Sequence, residues 1–138
     1  MKATDLMVKD LVKVRPSGMV ISVAAVHLKK VGYHSIASKL EWVRQDLLQP
    51  MELTPSFLEK NGFKPIDPIP SILDPNWLSG KTYRWEYADG VYVQVDFKES
   101  EPHAYISNRC YFASPYCPDV HSLQHAMKLC GIYKDMKL

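Results

Sequence analysis

The sequence predicts an α+β fold, and three features carry that prediction. Residues 53–63 spell a short helix with both ends marked, residues 83–97 alternate as a pair of strands does, and residues 119–131 form an amphipathic helical stretch. Together they predict a curved N-terminal antiparallel β-sheet, a capped helix, an antiparallel hairpin sheet and a C-terminal amphipathic helix. The 138 residues suit a single domain that buries a core without disulfide staples. Residues 1–50 read as a β subdomain, and residues 51–138 carry the helix, a proline-rich loop, the hairpins and the terminal helix.

Asp10–Arg15 alternates, with Leu11 apart from the Val12/Val14 face, and Pro16-Ser17-Gly18 supplies a turn. Met19–Leu28 is apolar and rich in β-branched residues, which predicts one long strand. Ala37–Arg44 predicts a third, with Leu40 and Trp42 on one face and Lys39, Glu41 and Val43 on the other. An alternating tryptophan is expected in the core. Short strands with turns between them can curl into an SH3-like barrel.

Thr54 is the expected N-cap of the next element, because its hydroxyl can accept from a first-turn N–H. Pro55 suits the first helical position, and Leu53 and Leu58 have the spacing of a hydrophobic staple. Gly62 in the left-handed conformation would stop the helix and turn Phe63 back onto Leu58. From Lys64 to Gly80 come Pro65, Pro68, Pro70 and Pro75, which exclude a helix or a central strand. The isoleucines of that segment and Trp77 predict a loop pinned against the protein. In the following hairpin a three-residue loop, Ala88-Asp89-Gly90, would pair Tyr87 with Val91, Trp85 with Val93 and Tyr83 with Val95, keeping one face apolar. After a polar turn through Glu101 and Pro102, a further strand is expected over His103–Ser107. In the terminal helix Asp119 caps and Gly131 stops. Val120, Leu123, Ala126, Met127 and Cys130 form one stripe, with His121, Gln124, His125 and Lys128 opposite.

Composition excludes more than it selects. The apolar runs are too short for a membrane span, and no uninterrupted apolar segment follows Lys2 as a secretory signal would require. Cys110, Cys117 and Cys130 fit reduced thiols in a cytoplasmic protein. The net charge of +2 divides into +5 over residues 1–44 and −3 over the remainder. Lys29, Lys30, Tyr33, Trp42 and Arg44 supply the residue types of a nucleic-acid surface, although no helix-turn-helix, zinc-finger or RNP-type signature accompanies them.

His121 and His125 have the i, i+4 spacing of a metal pair, and Cys117 and Cys130 flank them. Cys130 falls on the apolar side of the helix, however, and Ser122 stands where a zinc protease requires glutamate. No metal site or cofactor is expected. Cys117 precedes a helix N-terminus, where a thiol pKa can fall, and His103 or His121 could partner it only if folding brought them together. Asp67 and Asp74, each followed by proline, read as turn formers. Phosphate-binding glycine loops, dinucleotide fingerprints and the Gly-x-Ser-x-Gly elbow are all missing from the sequence.

Pro50-Met51-Glu52-Leu53-Thr54-Pro55, Asn61-Gly62-Phe63 and Val120-His121-Ser122-Leu123-Gln124, with Asp10-Leu11-Val12, together make up a pattern of motifs. The pattern resembles a family of small uncharacterised proteins found in Bacteroidetes, their phages and mobile elements. Gln49 and Met51 depart from it, since isoleucine is usual at both places. The resemblance implies a lineage and a shared fold, and it brings no activity with it. The functional expectation is therefore a non-enzymatic cytoplasmic accessory or adaptor protein acting through protein–protein contacts. Its surface would be the Tyr83/Trp85/Tyr87 face, if the terminal helix leaves that face open. The alternative is a nucleic-acid-binding protein using the basic N-terminal half.

Overall fold

The computed structural model describes residues 1–66, 81–98, 101–109 and 111–138, and within these the fold is α+β, with antiparallel sheets and two α-helices. The chain divides into two compact units, Met1–Glu52 with Asp119–His125, and Leu53–Pro118 with Ala126–Leu138.

The first unit holds two three-stranded sheets in place of one curved sheet. In one of them β1 (Leu11–Val14) lies between β2 (Met19–Ser22) and β6 (Leu48–Pro50). In the other, β4 (Lys30–His34) lies between β3 (Ala25–His27) and β5 (Leu40–Arg44). The expected long strand over Met19–Leu28 is thus two strands in two sheets. The exchange happens at Val23 and Ala24, where Val23 N–H donates to Asp10 and the next N–H, from Ala24, donates to Gly32. A β-branched run reads the same whichever sheet its backbone joins. Strand β4 is a strand the sequence did not announce, and the third predicted strand begins at Leu40, because Ser35–Lys39 closes a turn with Ser38 at φ 57°. Ala3, Leu6, Val12, Val14, Ile21, Val23, Val31 and Leu48 make this unit's core, with Tyr33 and Val43 packed on it.

The second unit opens with α1 (Pro55–Lys60), whose ends form as read. Phe57 N–H donates to Thr54 Oγ1 at 3.2 Å, Gly62 has φ 82°, and Phe63 N–H donates to the Leu58 carbonyl at 3.0 Å. Leu53, Leu58 and Phe63 are buried. A five-stranded antiparallel sheet follows, with β7 (Lys64–Ile66), β8 (Lys81–Ala88), β9 (Val91–Lys98), β10 (Glu101–Asn108) and β11 (Tyr111–Ala113) in reverse spatial order. Strand β7 contains Pro65 and lies at the sheet edge, the place where a strand tolerates a missing N–H. The expected pinned loop beyond it, including Asp67 and Asp74, falls outside the described residues. Strand β10 starts at Glu101, so Pro102 belongs to the strand and pairs with Phe97.

The β8–β9 hairpin keeps the expected Tyr83–Val95 and Trp85–Val93 pairs and closes differently. Ala88 pairs with Val91 across Asp89-Gly90, and a bulge at Tyr87 absorbs the extra residue. A bulge restores face parity as well as a longer loop does. Helix α2 (Val120–Leu129) is capped by Asp119, whose Oδ1 accepts from the Ser122 N–H at 2.9 Å. Val120, Leu123, Ala126, Met127 and Cys130 are all buried. Among the described residues no helix is long and apolar enough to cross a membrane.

Candidate functional site

The polar side of α2 is not a solvated face. Gln124 is buried and bridges the chain near β1, accepting from the Leu11 N–H at 3.1 Å and donating to the Lys9 carbonyl at 3.0 Å. His125 Nε2 stands 2.6 Å from Oδ2 of Asp10, a fully buried carboxylate. His121 Nδ1 lies 2.9 Å from Asp119 Oδ1, and its side chain is only 13% exposed. The two imidazoles meet edge to face with centroids 5.8 Å apart. Opposite the apolar stripe, exposed or locally hydrogen-bonded rings are expected; His121 is bonded locally, to Asp119, whereas His125 reaches a carboxylate 115 positions away in the first unit. Burial alone would push the Asp119 carboxyl up, but the bonds from His121 and Ser122 outweigh it and hold it below the usual carboxylate range. No group of three or more His, Cys, Asp or Glu residues able to hold a metal occurs among the described residues.

Cys117 and Cys130 are buried and neither is in a disulfide, and Cys110 lies outside the described residues.

The Tyr83/Trp85/Tyr87 face is largely covered from within the second unit. Tyr83 is buried, with the Glu59 carboxylate as its hydrogen-bond partner. Trp85 packs on Phe63, with the Lys134 ammonium 4.2 Å from its ring. Only Tyr87, carried on the bulge, is substantially exposed.

Two open surfaces of the first unit combine exposed apolar side chains with accessible backbone or charge. One is a groove of about 970 Å³ between β2 and the turn joining β4 to β5. Its apolar lining includes Val8, Met19, Ile21 and Ile36, and Ile36 is fully exposed. Tyr33 donates to Glu41 at 2.7 Å on its far wall. Strand β2 is an edge strand. Since Val23 N–H donates to Asp10 in the paired direction, alternation turns the backbone groups of Val20 and Ser22 away from β1, toward that open edge.

The other surface is the outer face of the β3–β4–β5 sheet. Register places His27, Lys30 and Arg44 in one cross-strand row, Ala25, Gly32 and Trp42 in the next, and His34 with Leu40 in a third. Trp42 was expected in the core and is 44% exposed, because Val31 and Val43 take the core side of this sheet. The Lys30 ammonium lies 4.8 Å from the indole centroid, and the His27 ring meets it edge-on at 6.5 Å. Gly32 makes the bed: a Cβ there would meet Leu40 Cδ1 at 3.1 Å and Trp42 Cζ3 at 3.3 Å. Sequence reading named Trp42 and missed Gly32 and Ile36. A lone glycine between Val31 and Tyr33 was the available signal.

Comparison of the chain with protein-family models, curated proteins and solved structures finds no match.

Proposed function

We propose that this chain is a non-enzymatic accessory or adaptor protein that holds an extended segment of a partner protein in the groove beside β2. The observation that carries the reading is the coincidence of an apolar groove with an unpaired strand edge. An added strand gains affinity from main-chain hydrogen bonds and specificity from alternate side chains entering pockets. Val20 and Ser22 offer the main-chain groups, and Val8, Met19 and Ile36 offer the apolar wall. A fully exposed isoleucine at the lip of such a groove is a side chain with much to gain from a partner. The cytoplasmic setting belongs to the same proposal and is supported by Cys117 and Cys130 standing outside any disulfide. The lineage suggested by the sequence pattern adds no chemistry to it.

Selection from a random peptide display library tests the reading. Enriched peptides are expected to alternate apolar residues, and to lose binding to Ile36→Asp and to Val20→Pro. The second change deletes one outward N–H at an edge position, where proline is tolerated. An absence of enrichment, or peptides that bind both variants as well as the parent, overturns it. Turnover of generic esterase, phosphatase or peptidase substrates by the purified protein would count against the non-enzymatic half.

A further inference from the structure

We propose that the outer face of the β3–β4–β5 sheet is a second binding surface, which takes a short stretch of single-stranded nucleic acid with a base stacked on Trp42. This goes beyond the groove, uses different residues, and stands or falls independently of it.

Three observations converge. An indole lies exposed over a glycine, so a flat aromatic surface is presented at the centre of the sheet where a packed side chain would ordinarily stand. Cations surround it: Lys30 over the ring, Arg44 beside Lys30 in the same cross-strand row, and Lys29 in the adjoining turn. The acidic residues nearby are already committed. Asp46 holds Arg44 through bonds of 3.0 and 3.1 Å, and Glu41, on the opposite face of β5, is taken by Tyr33. The face therefore keeps an excess of positive charge from Lys29 and Lys30.

A ligand complementary to this surface carries flat π-systems and regularly spaced negative charge. Single-stranded nucleic acid has both, because every base offers a stacking face and every linkage offers a phosphate. An acidic peptide would satisfy the lysines and leave the indole unused. A duplex would hide its base faces inside the stack. Three strands about 4.8 Å apart make a face wide enough for only two or three nucleotides, so binding is weak and tolerant of sequence. In the free protein Lys30 covers the indole. A stacking base would take that position, and the ammonium would move to the adjoining phosphate.

Fluorescence anisotropy of a labelled oligothymidylate about twelve nucleotides long tests this, since a strand longer than the face offers it many overlapping registers and every base has a stacking face. Binding is expected at about 50 mM salt and should weaken as salt rises, with a log–log slope of about −1.4 if Lys29 and Lys30 each neutralise one phosphate. Trp42→Ala should weaken binding by about tenfold or more, while Trp42→Phe keeps most of it. Lys30→Gln should make the slope shallower by about 0.7. Ile36→Asp, which disables the groove, should leave oligonucleotide binding unchanged. Because Trp42 is exposed, the variants keep their fold, which circular dichroism melts verify. No binding at low salt, equal affinity for a duplex, or retention of affinity by Trp42→Ala overturns the proposal.

Discussion

Asp10 and Leu123 show how much a single buried group decides. The Asp10 carboxylate is fully buried and receives the His125 ring at 2.6 Å. Removing that ring withdraws a charge-assisted bond from a carboxylate that has already left water. Such losses cost about 1–3 kcal/mol, so His125→Ala should lower the midpoint of urea denaturation clearly. Exposed polar positions by contrast stay within about 0.5 kcal/mol, the class to which spacing alone would assign this residue. Leu123 is also fully buried, and Leu123→Ala should cost about 2–5 kcal/mol, the range for an emptied core leucine. The ranking Leu123 first, His125 second should hold with or without a chelator in the buffer, because no metal is asked of this histidine. Helical spacing correctly gave the apolar stripe of α2. It could not give the bonds of Gln124 and His125, which reach residues more than a hundred positions away. Trp42 teaches the same lesson in the other direction: its face was legible, and which face points at the core was not.

Elements were legible in proportion to how local their causes are. Helix α1 is specified within eleven residues, from Leu53 to Phe63, and both of its ends form as read, in the Thr54 cap and in the bond from the Phe63 N–H to the Leu58 carbonyl. Thr54→Ala should therefore cost about 1 kcal/mol, the usual loss at such a cap. Gly62→Ala has room for the methyl group, the nearest atoms to that Cβ lying at 3.9 Å, so its cost is the backbone conformation at φ 82°. That is about 1–2 kcal/mol for an L-residue in the left-handed region. Thermal melts of the two variants check both figures. Asn61, between them, was silent in the sequence. Its side chain donates to the Phe57 and Lys137 carbonyls and accepts from the Lys137 N–H, fixing the C-terminal segment within the second unit. Strands were less legible, since a ladder is a non-local object. Residues 19–28 satisfy β preference throughout, and nothing local marks Val23–Ala24 as the place where the chain changes sheets. In β8–β9 the alternating faces fixed the Trp85–Val93 register, whereas a bulge at Tyr87 and a longer loop are degenerate solutions to one parity constraint.

At the scale of the whole molecule, charge and titration give each compact unit its own sensitivity to pH. Asp119 belongs to the first unit, and its carboxyl is held below the usual range despite its burial. A depressed folded value means that the charged form stabilises the fold. That contribution is complete above about pH 4, the ordinary carboxylate value, and is lost as pH falls through the lower folded value. Tyr83 belongs to the second unit, where burial, and then the hydrogen bond to Glu59, push its phenol above the ordinary value of about 10. Here the neutral form is favoured in the fold, so the contribution is present below about pH 10 and disappears as pH rises through the raised value. Tyr33 adds to the alkaline limb in the same sense, through its bond to Glu41 and then its burial, so Tyr83→Phe alone should flatten that limb only in part. Melting temperature measured across pH separates these groups. Asp119→Asn should remove part of the loss below about pH 4 and leave the alkaline limb where it was, because its carboxyl titrates only in the acid range. Tyr83→Phe should do the reverse. If Asp119→Asn shifted the curve equally at every pH, the carboxylate would be serving only as a neutral helix cap, and the assignment of the acid limb to its charge would be wrong.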